Sequence, residues 1–221
     1  MKHHALVNVY NDRMFLATML ESIKDHVDCI VFADGAYKDY YDHCRDYQPD
    51  IKPWSTDGTL EIIKAFKGLP NYKIIECPDG EPWINQNVKR TALLDSVPVG
   101  DWFTIMDADV MLVGDVSEGY EEIFDSGCVQ GSCPYYHLGL DISRFKMYWH
   151  PRAFEKLEGM HYKGTHWHLR DKFERIIPER YPTKHTDKFV RVHFKYFKTP
   201  SQLIPIQDFR FKKSETGWLE E

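Results

Sequence analysis

Strand-like and helix-like patterns alternate through the first hundred or so of the 221 residues, and this constrains the fold more than any other feature. Ala5-Leu6-Val7-Asn8-Val9-Tyr10 reads as a strand, and Met14 to His26 carries Phe15, Met19, Leu20 and Ile23 at helical spacing. Cys29 to Ala33 is a β-branched second strand that ends at Asp34-Gly35. Ser55-Thr56-Asp57-Gly58-Thr59 opens a helix through Leu60, Ile62, Ile63 and Phe66, with cap residues to hand. Lys73 to Cys77 is a third strand, Asn87 to Ser96 a helix, and Trp102 to Met106 a fourth strand. Strands that alternate with helices imply a largely parallel sheet. The segment Ala36 to Trp54 is polar, tyrosine-rich and aperiodic, and reads as an excursion over the surface.

Beyond Val110 the repeat stops. Arg152 to Glu158 is a helix candidate and Phe189 to Phe197 a strand candidate, and the tail from Lys198 reads as loop and helix wrapped on the body. The length and the 43% apolar content fit one domain over 1–221, with a ligand-binding half (1–115) and a second half with the tail (116–221). Five scattered cysteines without a CxxC pair give neither a disulfide framework nor a thiolate zinc site. No apolar run has the length of a signal-peptide core or a membrane span, so a cytoplasmic protein is expected. Residues 1–142 carry 11 Lys+Arg against 24 Asp+Glu, whereas 143–221 carry 17 against 10. That asymmetry fits an anionic ligand meeting the later part, or a solvated basic surface offsetting an acidic one.

Asp107-Ala108-Asp109 follows directly on the fourth strand pattern. Residues i and i+2 of an extended segment point to one side, so both carboxylates are expected to converge on one hard cation with oxygen preference. A divalent cation bridging a diphosphate needs such a pair at the mouth of a sheet. The motif gains weight only from its context.

The context carries a family likeness. Val9-Tyr10-Asn11-Asp12 is similar to the "V-Y-N-E" that follows the first strand of family-2 GT-A glycosyltransferases. Asp34-Gly35 with Ser55 to Thr59 resembles their "D-G-S-x-D-G-T" element, split here by the nineteen residues Ala36 to Trp54. Lys89-Arg90 lies where the family has a basic helix start, and Asp107-Ala108-Asp109 resembles its metal motif. The likeness covers the chain to about residue 115. Thereafter Met147 to Gly159 is similar to an acceptor-side "M-x-R-R-x-x-F-x-x-x-G-G", and Val192-His193-Phe194 to a late histidine that completes the metal site.

The resemblance implies a GT-A (Rossmann-like), mostly parallel sheet flanked by helices, with a smaller mixed acceptor-side region. It implies a transferase that moves a hexose-type unit from a nucleotide-diphosphate sugar to a hydroxyl, using Mn²⁺ or Mg²⁺. Val9, Tyr10, Asn11, Asp12, Asp34 and Ala108 would line the nucleotide, with Tyr10 against the base and Asp34 accepting from its ring N–H, as for a uridine donor. Lys89 and Arg90 would meet the diphosphate. Asp109 would bind the cation directly, Asp107 would serve the ribose or the metal through water, and His193 would complete the ligands. Where the family has an acidic general base, this chain has Thr165-His166, so His166 is the first candidate, with His168 and Asp171 behind it. A retaining mechanism needs no such base. The acceptor is expected to be a glycan or lipid-linked precursor, with modified nucleic acid possible. Tyr135, Tyr136, Trp149 and Trp167 are available to stack on it or to fill the core. A non-catalytic donor-binding module is the first rival. A sugar-phosphate nucleotidyltransferase is the second, and the absence of glycine from residues 1–20 counts against it.

Overall fold

A computed structural model describes residues 1–138, 146–164, 168–194 and 197. The chain runs through β1 (His3–Val9), α1 (Arg13–Ile23), β2 (Cys29–Asp34), α2 (Lys38–Arg45), α3 (Thr59–Ala65), β3 (Asn71–Ile75), α4 (Gln86–Asp95), β4 (Trp102–Asp107) and β5 (Val110–Gly114). It continues with α5 (Val116–Phe124), β6 (Gln130–His137), β7 (Lys146–Glu155), β8 (His161–Tyr162), β9 (Leu169–Arg170), α6 (Ile177–Arg180), β10 (Thr183–His185) and β11 (Phe189–His193). The main sheet has the order β3-β2-β1-β4-β7-β6-β11-β5, with β10 also paired to β6, while β8 and β9 form a small hairpin.

The first half of the sheet is the expected parallel unit, for β3, β2, β1 and β4 all run the same way. Side-chain alternation splits its apolar residues between two cores. Ala5, Val7 and Val9 pack with Leu16, Met19, Leu20 and Ile23 of α1 on one face. Leu6, Val31, Phe103 and Ile105 pack with Leu93 and Leu94 of α4 on the other. Helices on both faces explain why the strands read as nearly continuous apolar runs.

Past β4 the sheet becomes mixed. β7 is antiparallel to both β4 and β6, β11 is parallel to β6, and β5 is antiparallel to β11. Arg152 to Glu158, expected as a helix, lies largely within β7, where Ala153 and Phe154 pair with both Thr104 and Phe103 of β4 and Gly131 and Gln130 of β6. A short apolar run fits either period, and the two flanking strands decide for the extended form. The surface excursion contains a helix, α2, whose one buried residue is Cys44. Its lack of an apolar stripe hid it, while an exposed Lys38–Asp42 ion pair one turn apart supports it. β3 begins and ends two residues before the expected strand.

Pairing between β4 and β7 covers only Trp102 to Thr104. Beyond that point the strands part, and the Ile105 carbonyl accepts a 2.6 Å hydrogen bond from Arg191 Nη1 of β11. The same guanidinium donates to the Thr104 hydroxyl. This divergence beyond the carboxyl ends of the parallel strands is where an open α/β sheet offers a ligand its crevice.

Candidate functional site

Three strand ends make the floor. Val9 is level with Asp34 and Asn8 with Asp107, so the groups singled out in β1, β2 and β4 reach one edge of the sheet. Asp34 is buried, and its carboxylate accepts from Ser55 Oγ at 2.5 Å and from Ser55 N at 3.1 Å. The two halves of the split Asp-Gly…Ser-Thr-Asp-Gly-Thr element are therefore rejoined in space. Asn11 completes the seam from a left-handed conformation (φ 52°) that asparagine tolerates. Its N–H donates to Ser55 Oγ and its Oδ1 accepts from Thr56 N, both at 2.9 Å.

Asp12 accepts from Tyr10 N at 3.0 Å, and its own N–H donates to Thr59 Oγ1 at 2.9 Å. The Tyr10 hydroxyl donates to the Lys52 carbonyl at 2.7 Å, which fixes the ring at the rim. Lys89 comes from α4 and is buried. Its Nζ donates to the Val9 carbonyl at 3.0 Å and to the Gly35 carbonyl at 2.5 Å, bracing the ends of β1 and β2. Burial lowers its pKa to about 8 against the pull of Asp34 and Asp12.

Asp107 and Asp109 do not lie along one extended segment. The chain turns at Ala108 and Asp109 between β4 and β5, so strand alternation does not set their directions. Alternation within β4 puts Asp107 on the α4 face with Phe103 and Ile105. Burial would raise its carboxyl, but the guanidinium groups of Arg152 and Arg90 outweigh this and hold it below the usual carboxylate range. Ala108 is buried in the α1-side core. Asp109 turns toward β11, where its Oδ1 lies 3.1 Å from His193 Nε2 and its carbonyl accepts from Phe194 N at 2.9 Å.

Several residues at this mouth had no role in the sequence reading. Arg152 of β7 is buried with its guanidinium 5.7 Å from the Tyr135 ring, while Arg90, already singled out in the sequence for a diphosphate, lies 5.8 Å from the ring of Tyr162. His150 is lowered to about 4 by burial and by Arg152 and Arg191. His137 stands level with His193 across β6 and β11, with their Nδ1 atoms 2.9 Å apart. Nothing local in the chain gives His137, His150 or Arg152 a role of its own, because strand register brings them here.

The donor chemistry fits a shared cation. An octahedral Mg²⁺ or Mn²⁺ with ligand distances of about 2.1 Å holds neighbouring ligands about 3 Å apart, close to the separation of Asp109 Oδ1 from His193 Nε2. Among the described residues no group of three or more His, Cys, Asp or Glu side chains is placed to hold a metal ion. Two such side chains leave the remaining positions of an ion to ligands outside the pair.

Asp171, another candidate for the base, is buried and fully engaged. Its oxygens accept from Phe173 N (2.8 Å), Arg175 N (3.1 Å), Arg175 Nε (2.6 Å) and the Tyr181 hydroxyl (2.8 Å). Burial pushes the carboxyl up, but the bonds from Arg175, Tyr181 and Phe173 prevail and hold it far below the usual carboxylate range. A carboxylate so stabilised is a poor base near neutral pH. Asp171→Asn is therefore expected to lower Tm by several degrees at pH 7. Because the folded pKa lies below the unfolded one, that deficit should shrink as the pH falls below about 4, where the parent loses the same stabilisation. Thermal melts of both proteins across that range check it. His166, the first candidate for the base, lies outside the described residues, as do Thr165 and Trp167. His168 is half-buried, and its carbonyl accepts from Lys163 N.

No protein-family model and no curated protein matches the chain. Among solved structures it is similar to Staphylococcus aureus TarS (residues 1–349), at 18% identity and a TM-score of 0.46 over 66% of this chain. The chain spans 40% of the length of that structure. It is also similar to HddC from Yersinia pseudotuberculosis, at 14% identity and a TM-score of 0.45, over 98% of this chain and 99% of that one. A third is Rv0371C of Mycobacterium tuberculosis H37Rv in complex with manganese, at 12% identity and a TM-score of 0.43, over 94% of this chain and 98% of that one. At this distance nothing about site or activity passes from them to this chain. Among the described residues no helix is long and apolar enough to cross a membrane.

Proposed function

We propose that this chain is a metal-dependent glycosyltransferase of the hexosyltransferase type. It moves a sugar from a nucleotide-diphosphate sugar, with UDP-sugars the first donors to test, to a hydroxyl on a glycan, a lipid-linked precursor or a modified nucleic acid. The observation that carries this reading is the meeting of Asp109 and His193, far apart in sequence, at 3.1 Å beside the end of β4. Asp109 and His193 would hold Mn²⁺ or Mg²⁺ there, which would supply positive charge against that of a departing nucleoside diphosphate. Arg90 and Arg152 keep Asp107 ionised and add positive potential that draws the diphosphate toward the crevice. Lys89 braces the two strand ends beneath it. Tyr10 and the Asp34–Ser55 seam, with Asn11 and Asp12, shape the nucleoside end, and Val9 and Ala108 support it from the α1-side core.

This arrangement has a measurable signature. Mn²⁺ alone is expected to bind weakly, because two protein ligands and a crevice rich in guanidinium groups do not hold a free cation well. A nucleoside diphosphate should tighten it at least tenfold, as read by electron paramagnetic resonance of free Mn²⁺. Incubation with Mn²⁺ and a panel of nucleotide sugars should then release nucleoside diphosphate slowly from one donor. Equal Mn²⁺ affinity with and without nucleotide, and no release from any donor, would defeat the reading.

The engagement of Asp171 favours one other reading, a donor-binding module without turnover. It predicts nucleotide-tightened Mn²⁺ binding with no release of diphosphate. A nucleotidyltransferase would instead release pyrophosphate from a nucleoside triphosphate and a sugar phosphate.

A further inference from the structure

We propose that His137 is a positioning residue that sets the tautomer of His193 and so decides whether His193 can take a cation. This rests on the metal–nucleotide reading above. β6 and β11 run parallel with His137 level with His193, and the two Nδ1 atoms approach to 2.9 Å. Two identical ring nitrogens share a hydrogen bond only if one carries the proton and the other does not. With both rings neutral, the pair has two arrangements.

In the first, His137 Nδ1–H donates to His193 Nδ1. His193 then carries its proton on Nε2, which donates to Asp109 Oδ1 across the observed 3.1 Å. In the second, His193 Nδ1–H donates to His137 Nδ1, and His193 Nε2 presents a lone pair toward the Asp109 carboxylate. Only the second can ligate a metal. Passage from the first to the second moves the shared proton from His137 Nδ1 to His193 Nδ1. The proton on His193 Nε2 leaves to solvent, and His137 Nε2 gains one. Both rings are neutral before and after. The His137 ring is held for this role by Tyr135 and Tyr148, with centroids at 5.2 and 5.1 Å. Such outer partners of a ligating histidine typically change metal affinity by about 10–100-fold.

Nitrogen-15 imidazole spectra of the full chain test this directly. Without metal, His193 should appear as the Nε2–H tautomer and His137 as the Nδ1–H tautomer. Mg²⁺ with the nucleoside diphosphate that tightens Mn²⁺ should reverse both. H137F keeps a ring among Tyr135 and Tyr148 but can neither donate nor accept. It should weaken nucleotide-supported Mn²⁺ binding by about 10–100-fold, with H137N recovering part of the loss and all three proteins melting alike. H137F that binds Mn²⁺ as tightly as the parent, or unchanged tautomers on metal addition, overturns the proposal. A parent protein that binds no Mn²⁺ with any nucleoside diphosphate defeats the donor-site reading itself, and the metal-free spectra still report on the histidine pair.

Discussion

Replacing Asp109 with asparagine is expected to slow Mn²⁺-dependent release of nucleoside diphosphate by about 10²–10⁴-fold, with Tm changed by less than about 3 °C. The rate effect follows from the several kcal/mol a Lewis-acid cation contributes to leaving-group stabilisation, at 1.36 kcal/mol per tenfold. Asparagine removes the charge that holds the ion but keeps an oxygen able to accept from His193, and the bond from Phe194 N to the residue 109 carbonyl is untouched. Stability should therefore barely move. Steady-state rates beside a thermal melt check both halves, and parent-like turnover would show that the cation is not held here.

Gly114→Ala is expected to cost about 3–5 kcal/mol of stability, a fall in Tm of roughly 6–20 °C for a chain of this size. Gly114 ends β5 at φ 118°, a backbone conformation that side chains rarely adopt. A methyl there would meet the Lys188 carbonyl oxygen at 2.5 Å and Phe189 Cα at 3.0 Å, both backbone atoms that cannot rotate aside. Gly127→Ala is the control, since its φ is also positive (73°) but nothing lies within 4 Å of the added carbon. It should cost only about 1 kcal/mol. The clash falls at the Phe189–Gly114 pair that begins the β5–β11 ladder, and His193 stands level with Val110 at its far end. A partly folded Gly114→Ala protein should accordingly lose nucleotide-supported Mn²⁺ binding as well, which titration after refolding would show. Equal melts for the two alanine variants would refute the close packing of β5 on β11.

The parallel half of the fold was legible because its information is local. Four apolar strand patterns alternate with three helically spaced segments, and two-sided burial removes the ambiguity of long apolar strands. The link between Asp34 and Ser55 came from the family resemblance, which reads the two segments as one split element, and their hydrogen bond rejoins it. β7 was not legible, because Ala153, Phe154 and Leu157 fit a helical stripe and only strands on both sides make the segment extended. The direction of Asp107 was misread by treating Asp107-Ala108-Asp109 as extended, whereas a turn separates the two carboxylates. His137 could be found only through the pairing of β6 with β11. Arg152 needed the parting of β4 from β7 before its burial had a reason.

The seam between residues 11 and 56 also governs how such a protein can diversify. Ala36 N–H donates to the Pro53 carbonyl at 2.8 Å, so the excursion leaves and re-enters the body through one doorway. Its length and composition are thereby uncoupled from the position of Ser55 against Asp34. Replacements between Lys38 and Gln48 would remodel the rim while the floor stays in register, which makes that stretch a natural graft point for reshaping the proposed nucleoside end.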